Sequence, residues 1–125
     1  MDIRIKATNY EITPEVSAYL DEKLVLVVEK MLGAEADTSR LEVEIARAAG
    51  NQRHGEHVWK VEVNLSTPGG PTVRATNHAE NVNTAIDDVK EEVLRQLRTE
   101  KQVHRRILRR GGAAIKRLMR FGSED

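Results

Sequence analysis

Apolar and polar residues alternate along four short stretches of the chain, and each alternation predicts a β-strand with one buried face. The apolar positions recur every second residue and are Ile3, Ile5 and Ala7, then Leu41, Val43 and Ile45, then Trp59, Val61, Val63 and Leu65, and finally Val73 and Ala75. The first stretch covers residues 2–8. Polar segments at residues 50–55 and 67–71 separate the last three stretches, and their hairpin length predicts an antiparallel meander.

Two other segments carry apolar residues at steps of three and four, which predicts amphipathic helices. The first helix begins after Thr13, a capping residue followed by Pro14, and it ends at Gly33. The second begins from about Asn77 and continues until the glycine pair at residues 111–112 breaks it. The apolar stripes are Val16, Tyr19, Leu20, Leu24, Val27 and Met31 in the first helix, and Val82, Ala85, Ile86, Val89, Val93 and Leu97 in the second.

The resulting order, β-α-β-β-β-α, predicts an α+β fold. We expect a two-layer sandwich in which a four-stranded sheet carries two helices on one face, plus a basic C-terminal tail. One folded domain would cover residues 1–102, and residues 103–125 would form a basic helical extension and a flexible tail. The tail includes Ala113–Phe121, a basic amphipathic segment too short for a stable isolated helix, so we expect it to order only on RNA or protein.

Enzyme chemistry finds little support in the sequence. The chain has no cysteine, which excludes disulfides, thiolate zinc sites and cysteine nucleophiles. The four histidines are expected in loops or near helix ends and lack the spacing of metal ligands. The carboxylates of residues 87–92 are expected on a solvated helix face, paired as in Glu91–Arg95. We therefore expect no catalytic residue, no metal, no cofactor and no small-molecule substrate.

The sequence also favours a cytoplasmic protein without a membrane partner. No stretch approaches the roughly 18–20 apolar residues that cross a bilayer. The first residues, Met1–Arg4, do not resemble a signal peptide or a transit peptide. We expect a monomer away from its binding partner.

Charge is distributed very unevenly behind a net charge of zero. Residues 95–120 contain ten Lys or Arg and one acid, which gives +9, while the ten basic and nineteen acidic residues elsewhere give −9. Favourable contacts with the helix macrodipole act over the terminal turns only and would account for two or three of these cations. A block of like charges repels itself, so a polyanionic partner explains the segment better.

Arginine predominates in this segment, and its bidentate contacts with phosphate favour a nucleic acid over a carboxylate surface of a protein. The helical candidates for phosphate contact are Arg95, Arg98, Lys101, Arg105, Arg106, Arg109 and Arg110. Secondary candidates on the sheet are Arg4, Lys6 and Arg74. Trp59 is in phase with the buried positions of its strand, so we assign it to the core rather than to base stacking.

Several short motifs, in their order along the chain, resemble those of the ribosome hibernation promoting factors and ribosome-associated inhibitors, in their short form. The resemblance covers about residues 1–102. Residues 11–13 are similar to the EIT motif of that family, and residues 67–70 are similar to its TPxG turn. The other matches are Lys23-Leu24 and Glu29-Lys30 with the KLxKLEK helix, His78-x-Glu80 and Thr84–Asp87 with HEDMYTAI, and Arg95-Gln96-Leu97 with RQL.

The resemblance implies a stress or stationary-phase factor that binds the small ribosomal subunit and its rRNA. It would occupy the decoding region, where mRNA and the A- and P-site tRNAs bind, and inhibit translation. The rRNA-facing residues would be Lys23 and Lys30 on the first helix, with Arg95, Arg98 and Lys101 on the second. Long members carry a further C-terminal domain that pairs ribosomes, and with only residues 103–125 in its place we do not expect self-driven dimerisation.

Two features depart from the family, and two other functions remain open at this point. Residues 81–83 are Asn-Val-Asn where the family has an acidic residue, an apolar residue and a tyrosine, and the tail is basic where some short members have acidic tails. A double-stranded RNA-binding module would have a similar layout, but its basic cluster lies at the start of its last helix. The third possibility is a protein-interaction adaptor whose basic arm binds an acidic partner.

Overall fold

The computed structural model describes residues 1–48, 58–70 and 72–110, with side chains to Glu100 in the last range. The predicted loop at residues 50–55 and the tail segment Ala113–Phe121 lie outside the described residues. The strands are β1 (Asp2–Thr8), β2 (Arg40–Arg47), β3 (Trp59–Ser66) and β4 (Thr72–Ala79). The first helix comprises α1 (Pro14–Leu20), a π-helical turn (Asp21–Val25) and α2 (Leu26–Leu32), followed by a 3₁₀ helix (Gly33–Thr38); the second is α3 (Val82–Arg110).

The strands form one mixed sheet in the order β1-β2-β3-β4, which confirms the α+β two-layer prediction. β1 pairs parallel to β2, with Ile3 opposite Leu41, because the first helix connects them as a crossover. β2, β3 and β4 pair antiparallel, as the predicted meander requires. In the connection from β3 to β4, Pro68 and Gly69 form a tight turn in which Gly69 has a φ of 69° and Gly70 N–H donates to Thr67 O at 2.9 Å.

Aliphatic side chains from the sheet and both helices form the core between the two layers. The predicted inward positions of β2, β3 and β4 are buried except for Trp59, which is half-buried, and five positions of the predicted α3 stripe are also buried. The fully enclosed side chains include Leu20, Leu24, Leu41, Ile45, Val61, Val63, Leu65, Ile86 and Val89. The core therefore fixes the face of α3 that lies on β3 and β4, and it leaves the opposite face to solvent.

The first helix starts where predicted but buries a different stripe in its second half. Thr13 Oγ1 accepts a hydrogen bond from Val16 N–H at 3.2 Å and caps the first turn. In the π-helical turn, Leu26 N–H donates to Asp21 O, five residues earlier, which inserts one residue into the helical repeat. As a result Val28 is fully buried, whereas the predicted position Val27 is only half-buried.

β1 is more exposed than its alternating pattern predicts. Ile3 and Ile5 point to the helix side of the sheet but keep 37% and 43% of their surface exposed. The physical reason is position: β1 is an edge strand, and α3 covers β3 and β4 on the other half of the sheet. An open groove lies between β1 and the first helix, next to Pro14, Ala18 and Val25.

The prediction that the second helix begins from about Asn77 is wrong. β4 continues to Ala79 and keeps Asn77 opposite Val61, because its backbone still has the β3 ladder to pair with. This also places His78 within a strand rather than in a loop. The helix begins at Val82, and Asn81 Oδ1 caps it by accepting Thr84 N–H at 2.8 Å.

Candidate nucleic-acid interface

The second half of α3 extends past the sheet. Leu97 is the last buried residue of the helix described, and Gln96 Nε2 donates to Arg74 O at 2.8 Å near the start of β4. Residues 98–100 are exposed, and the helical backbone continues to Arg110. The ten residues after Glu100 span about 15 Å at the rise of an α-helix. This segment, residues 101–110, is the basic extension of α3.

Charge changes sign along α3. The part that packs on the sheet carries Asp87, Asp88, Glu91 and Glu92, whereas the basic extension contains five Lys or Arg and no acid. Phosphate would be repelled by the acidic first half and attracted to the extension. The side chains of Lys101, Arg105, Arg106, Arg109 and Arg110 lie outside those the structure describes, so their role rests on the sequence and the helical backbone.

Arg95 and Arg98 differ in their contacts although both are exposed. Arg95 pairs with Glu92, one turn earlier, and Glu91 pairs with Lys90 at 3.3 Å. The predicted pair Glu91–Arg95 is therefore wrong, because the Glu92 carboxylate is held on the same side of the helix, where it also accepts Gln96 Nε2 at 2.9 Å. Within the part of the chain whose side chains are described, Arg98 has no acidic partner; its Nε donates to Leu94 O at 3.3 Å.

A tyrosine–carboxylate contact joins the two helices. Tyr19 Oη on α1 donates to the carboxylate of Asp87 on α3, at 2.7 and 2.8 Å to the two oxygens. Asp87 is half-buried there, so its expected place on a solvated helix face is wrong. Lys23 lies over the Tyr19 ring, with its Nζ 6.0 Å from the ring centroid, and 4.0 Å from Glu22 Oε1. The contact places Lys23 beside the junction of the helices.

Replacing Tyr19 by Phe tests this contact. The hydrogen bond to Asp87, together with burial and the nearby negative charges of Asp87 and Glu22, raises the pKa of Tyr19 above its usual 10.0. We expect Tyr19→Phe to lower the free energy of unfolding by about 1 kcal/mol at neutral pH. A raised folded-state pKa stabilises the protein below pH 10.0, and this stabilisation is lost as the pH rises through the folded-state pKa. Urea unfolding measures the difference in free energy of unfolding between Tyr19→Phe and wild type, which should shrink as the pH rises through the folded-state pKa. A difference that stays constant above that pKa would contradict the hydrogen bond to Asp87.

Two other predicted RNA-contact residues, Lys30 on the first helix and Arg74 on β4, are cations exposed to solvent. Lys30 is exposed near the end of α2, and Arg74 is exposed on the face of the sheet away from the helices. Neither has a carboxylate within ion-pair distance among the residues that the structure describes. Lys30 lies with Lys23 and Arg98 in the helix layer, which is formed by the first helix and α3. Arg74 lies on the opposite side of the sheet.

On that outer face of the sheet the predicted candidates Arg4 and Lys6 are already paired. Arg4 Nε lies 3.5 Å from Asp2 Oδ2, and Lys6 Nζ lies 3.7 Å from Glu44 Oε2. The same pattern continues across the sheet through Arg40 and Lys60, which pair with Asp2, Glu42, Glu44 and Glu62. A phosphate would compete with these carboxylates, so the helix layer is the better site for a polyanion.

Sequence reasoning missed two cations, Lys90 and Arg47. Lys90 keeps only 21% of its side chain exposed, in the part of α3 that contacts the first helix, and nothing in the pattern of residues distinguishes it from a solvated lysine. Arg47, at the end of β2, lies with its Cζ 5.3 Å from the centroid of the Trp59 ring. Trp59 itself is half-buried and packs against the core, as predicted.

Two features are absent from the described residues: a cluster of metal-binding side chains and a membrane-spanning helix. Within residues 1–48, 58–70 and 72–110, no three His, Asp or Glu side chains are grouped closely enough to hold a metal ion. In the same part of the chain, no helix has the length and apolar character needed to cross a membrane.

Comparison with known proteins identifies a family and related folds. The model of the family described as sigma 54 modulation protein / S30EA ribosomal protein matches residues 3–105. The Protein Y N-terminal domain of Thermus thermophilus is 21% identical, with a TM-score of 0.61, over 78% of this chain and 96% of that one. A ribosomal subunit interface protein from Coxiella burnetii is 17% identical, with a TM-score of 0.62, over 82% and 99%. No curated protein sequence matches the chain significantly.

Proposed function

The chain belongs to the sigma 54 modulation protein / S30EA ribosomal protein family, and we propose that it is a ribosome-binding inhibitor of translation, a hibernation factor. It would act in the cytoplasm, by binding rather than by catalysis. The finer proposal concerns its place on the ribosome: it binds rRNA of the small subunit in the decoding region, where mRNA and the A- and P-site tRNAs bind. The name of one similar structure, a ribosomal subunit interface protein, agrees with a position between the subunits.

The observation that carries this proposal is the projection of the basic extension from an otherwise acidic domain. Residues 101–110 continue the helix beyond Leu97, its last buried residue among the described side chains, and they begin three residues after the exposed Arg98. A helical segment of this kind can bind along RNA, because its five cations can neutralise phosphates of the backbone. The domain behind it would remain outside the RNA, because its acids oppose non-specific binding.

We assign the phosphate contacts to the helix layer. The proposed residues are Lys23, Lys30, Arg95, Arg98, Lys101, Arg105, Arg106, Arg109 and Arg110. Arg4, Lys6 and Arg74 rank below these because they lie on the face of the sheet away from the helices. Contacts of this kind give affinity that depends on salt and that owes little to base sequence.

Competition with the natural occupants of the decoding region tests the finer proposal. Labelled protein is bound to purified small subunits, and mRNA with cognate tRNA is added in increasing amounts. Displacement by mRNA and tRNA together is expected, with a parallel loss of inhibition in cell-free translation. If the protein stays bound to subunits that carry both ligands, it binds elsewhere on the ribosome. If it binds isolated duplex RNA but not subunits, the chain is a double-stranded RNA-binding module.

Replacing Arg98 and Arg95 separately by Gln provides a matched pair of variants. Arg98 is free of carboxylates among the described side chains, so Arg98→Gln should weaken subunit binding and reduce the slope of log affinity against log salt by about 1. Arg95→Gln should have a smaller effect because Glu92 already neutralises this residue. Sedimentation with small subunits at several salt concentrations measures the affinity and the salt slope of each variant. Equal losses for the two variants would show that the pair with Glu92 does not persist on the ribosome.

A further inference from the structure

A corner of the molecule far from α3's basic extension combines two aromatic rings with an arginine. Tyr10 and Trp59 meet edge to face, with their ring centroids 4.7 Å apart and their planes at 90°. Arg47 lies over the Trp59 ring, with its Cζ 5.3 Å from the ring centroid. Both rings are half-buried against the core, whereas Arg47 is exposed. The three side chains are called the aromatic corner below.

The local backbone explains why the three residues meet. Arg47 and Trp59 are opposite each other in the register of β2 and β3, on the helix side of the sheet. After β1, Asn9 takes a φ of 56°, a left-handed conformation that an asparagine tolerates better than most residues. The turn brings Tyr10 next to the indole with the two ring planes perpendicular, and Arg47 lies over the indole ring. The corner is therefore built by the sheet and does not depend on the basic extension.

Arg47 differs from four cations of the outer sheet face. Arg4, Arg40, Lys6 and Lys60 each have a carboxylate within 4.0 Å. Among the side chains that the structure describes, Arg47 has none, and its contact is the indole ring. A guanidinium held on an aromatic ring keeps its charge and offers a flat surface, which is how proteins commonly stack the bases of single-stranded RNA.

We propose that the aromatic corner binds an unpaired base of single-stranded RNA, which stacks on Arg47 over Trp59. Tyr10 packs at a right angle to the indole and helps to hold it in place, and the arginine charge attracts the adjacent phosphate. Arg47 and Arg40 are at opposite ends of β2, which places the corner about 23 Å from the end of the sheet where α3 leaves. This inference goes beyond the proposed function, because it requires neither the ribosome nor the basic extension.

The test uses the full chain and a single-stranded RNA of about ten nucleotides, a length within the usual range of single-strand binding sites. Trp59 is the only tryptophan, so its indole N–H gives one resonance in an NMR spectrum. We expect this resonance to shift on titration with the RNA. Inorganic polyphosphate, which has the charge but no bases, should bind the basic extension and leave the indole resonance in place.

Two substitutions separate stacking from charge. Arg47→Lys keeps the charge but removes the planar group, and Arg47→Ala removes both; each should weaken the RNA affinity read from the indole resonance by about five- to 100-fold. The control Arg40→Lys, at the other end of β2, should leave that affinity unchanged. An Arg47→Lys variant that binds as wild type does would overturn stacking, and so would an indole resonance that does not move at saturating RNA. Either result would leave ribosome binding, measured separately by sedimentation, as an independent question.

Discussion

Truncating the chain after Glu100 is expected to weaken binding to the small ribosomal subunit by about 100- to 1000-fold at physiological salt. The truncation removes the five cations of the basic extension, Lys101, Arg105, Arg106, Arg109 and Arg110. Each phosphate contact releases condensed counterions, and the loss of several contacts multiplies these contributions. The core should remain intact because Leu97 is the last buried residue described on α3. Circular dichroism and the unfolding midpoint would confirm that the shortened protein is folded.

A second truncation, after Arg110, is the matched control. It removes the tail of residues 111–125, including Lys116, Arg117 and Arg120, but keeps the basic extension. Binding should remain within a few-fold of the full chain, since the assignment places the principal contacts before residue 111. If both truncations bind equally weakly, the tail carries the affinity. If neither truncation weakens binding, the site lies on the first helix, around Lys23 and Lys30.

Replacing Leu24 by Ala is expected to lower the free energy of unfolding by about 2–5 kcal/mol. Leu24 lies in the π-helical turn, is fully buried, and belongs to the segment through which the first helix contacts α3. Its removal leaves a cavity between the helix layer and the sheet. Because the stability of small domains is only about 5–15 kcal/mol, this single change would bring the protein close to unfolding. Urea unfolding at neutral pH measures the loss.

Leu26, two residues later, supplies the control. It is also a leucine of the first helix, but 51% of its surface is exposed. Leu26→Ala should change the free energy of unfolding by less than about 0.5 kcal/mol. Similar losses for the two variants would contradict the burial pattern that the π-helical turn produces. A Leu26→Ala variant that folds normally but binds ribosomes poorly would instead identify Leu26 as part of the interface.

Local sequence signals predicted most of the fold because they act over a few residues. Thr13 and Pro14 start the first helix through one hydrogen bond and one fixed dihedral angle, and Gly33 ends it with a φ of 62°. The alternation in β2 and β3 predicted which residues are buried, because a central strand has the helix layer on one face and solvent on the other. The helix is described from Val82 to Arg110, and the predicted break at the glycine pair of residues 111–112 lies outside the described residues.

Features that depend on distant parts of the chain could not be predicted in this way. The π-helical turn buries Val28 where the sequence pattern predicted Val27, and nothing in the local sequence marks the inserted residue. The exposure of Ile3 and Ile5 depends on how far the helix layer extends over the sheet. Asp87 meets a tyrosine that precedes it by 68 residues, and neither residue is unusual for its helix. Arg47 likewise becomes distinctive only through its contact with Trp59.

The candidate site was predicted in outline through charge, which needs no knowledge of the packing. The count of cations in residues 95–120 identified the second half of α3, and the structure adds the reason that this segment is available: it extends beyond the sheet. The sequence could not rank the candidates. Arg4 and Lys6 carry the same charge as Arg98, but they lie on the outer face of the sheet, where Asp2 and Glu44 pair with them.

Sedimentation with purified small and large ribosomal subunits across a salt series tests whether the helix layer and basic extension bind small-subunit rRNA through phosphate contacts. Between about 50 and 200 mM salt, we expect preferential binding to small subunits and a slope of log affinity against log salt of about −3 or steeper. A slope near zero, equal binding to both subunits, or a protein that stays unbound at the lowest salt would contradict it.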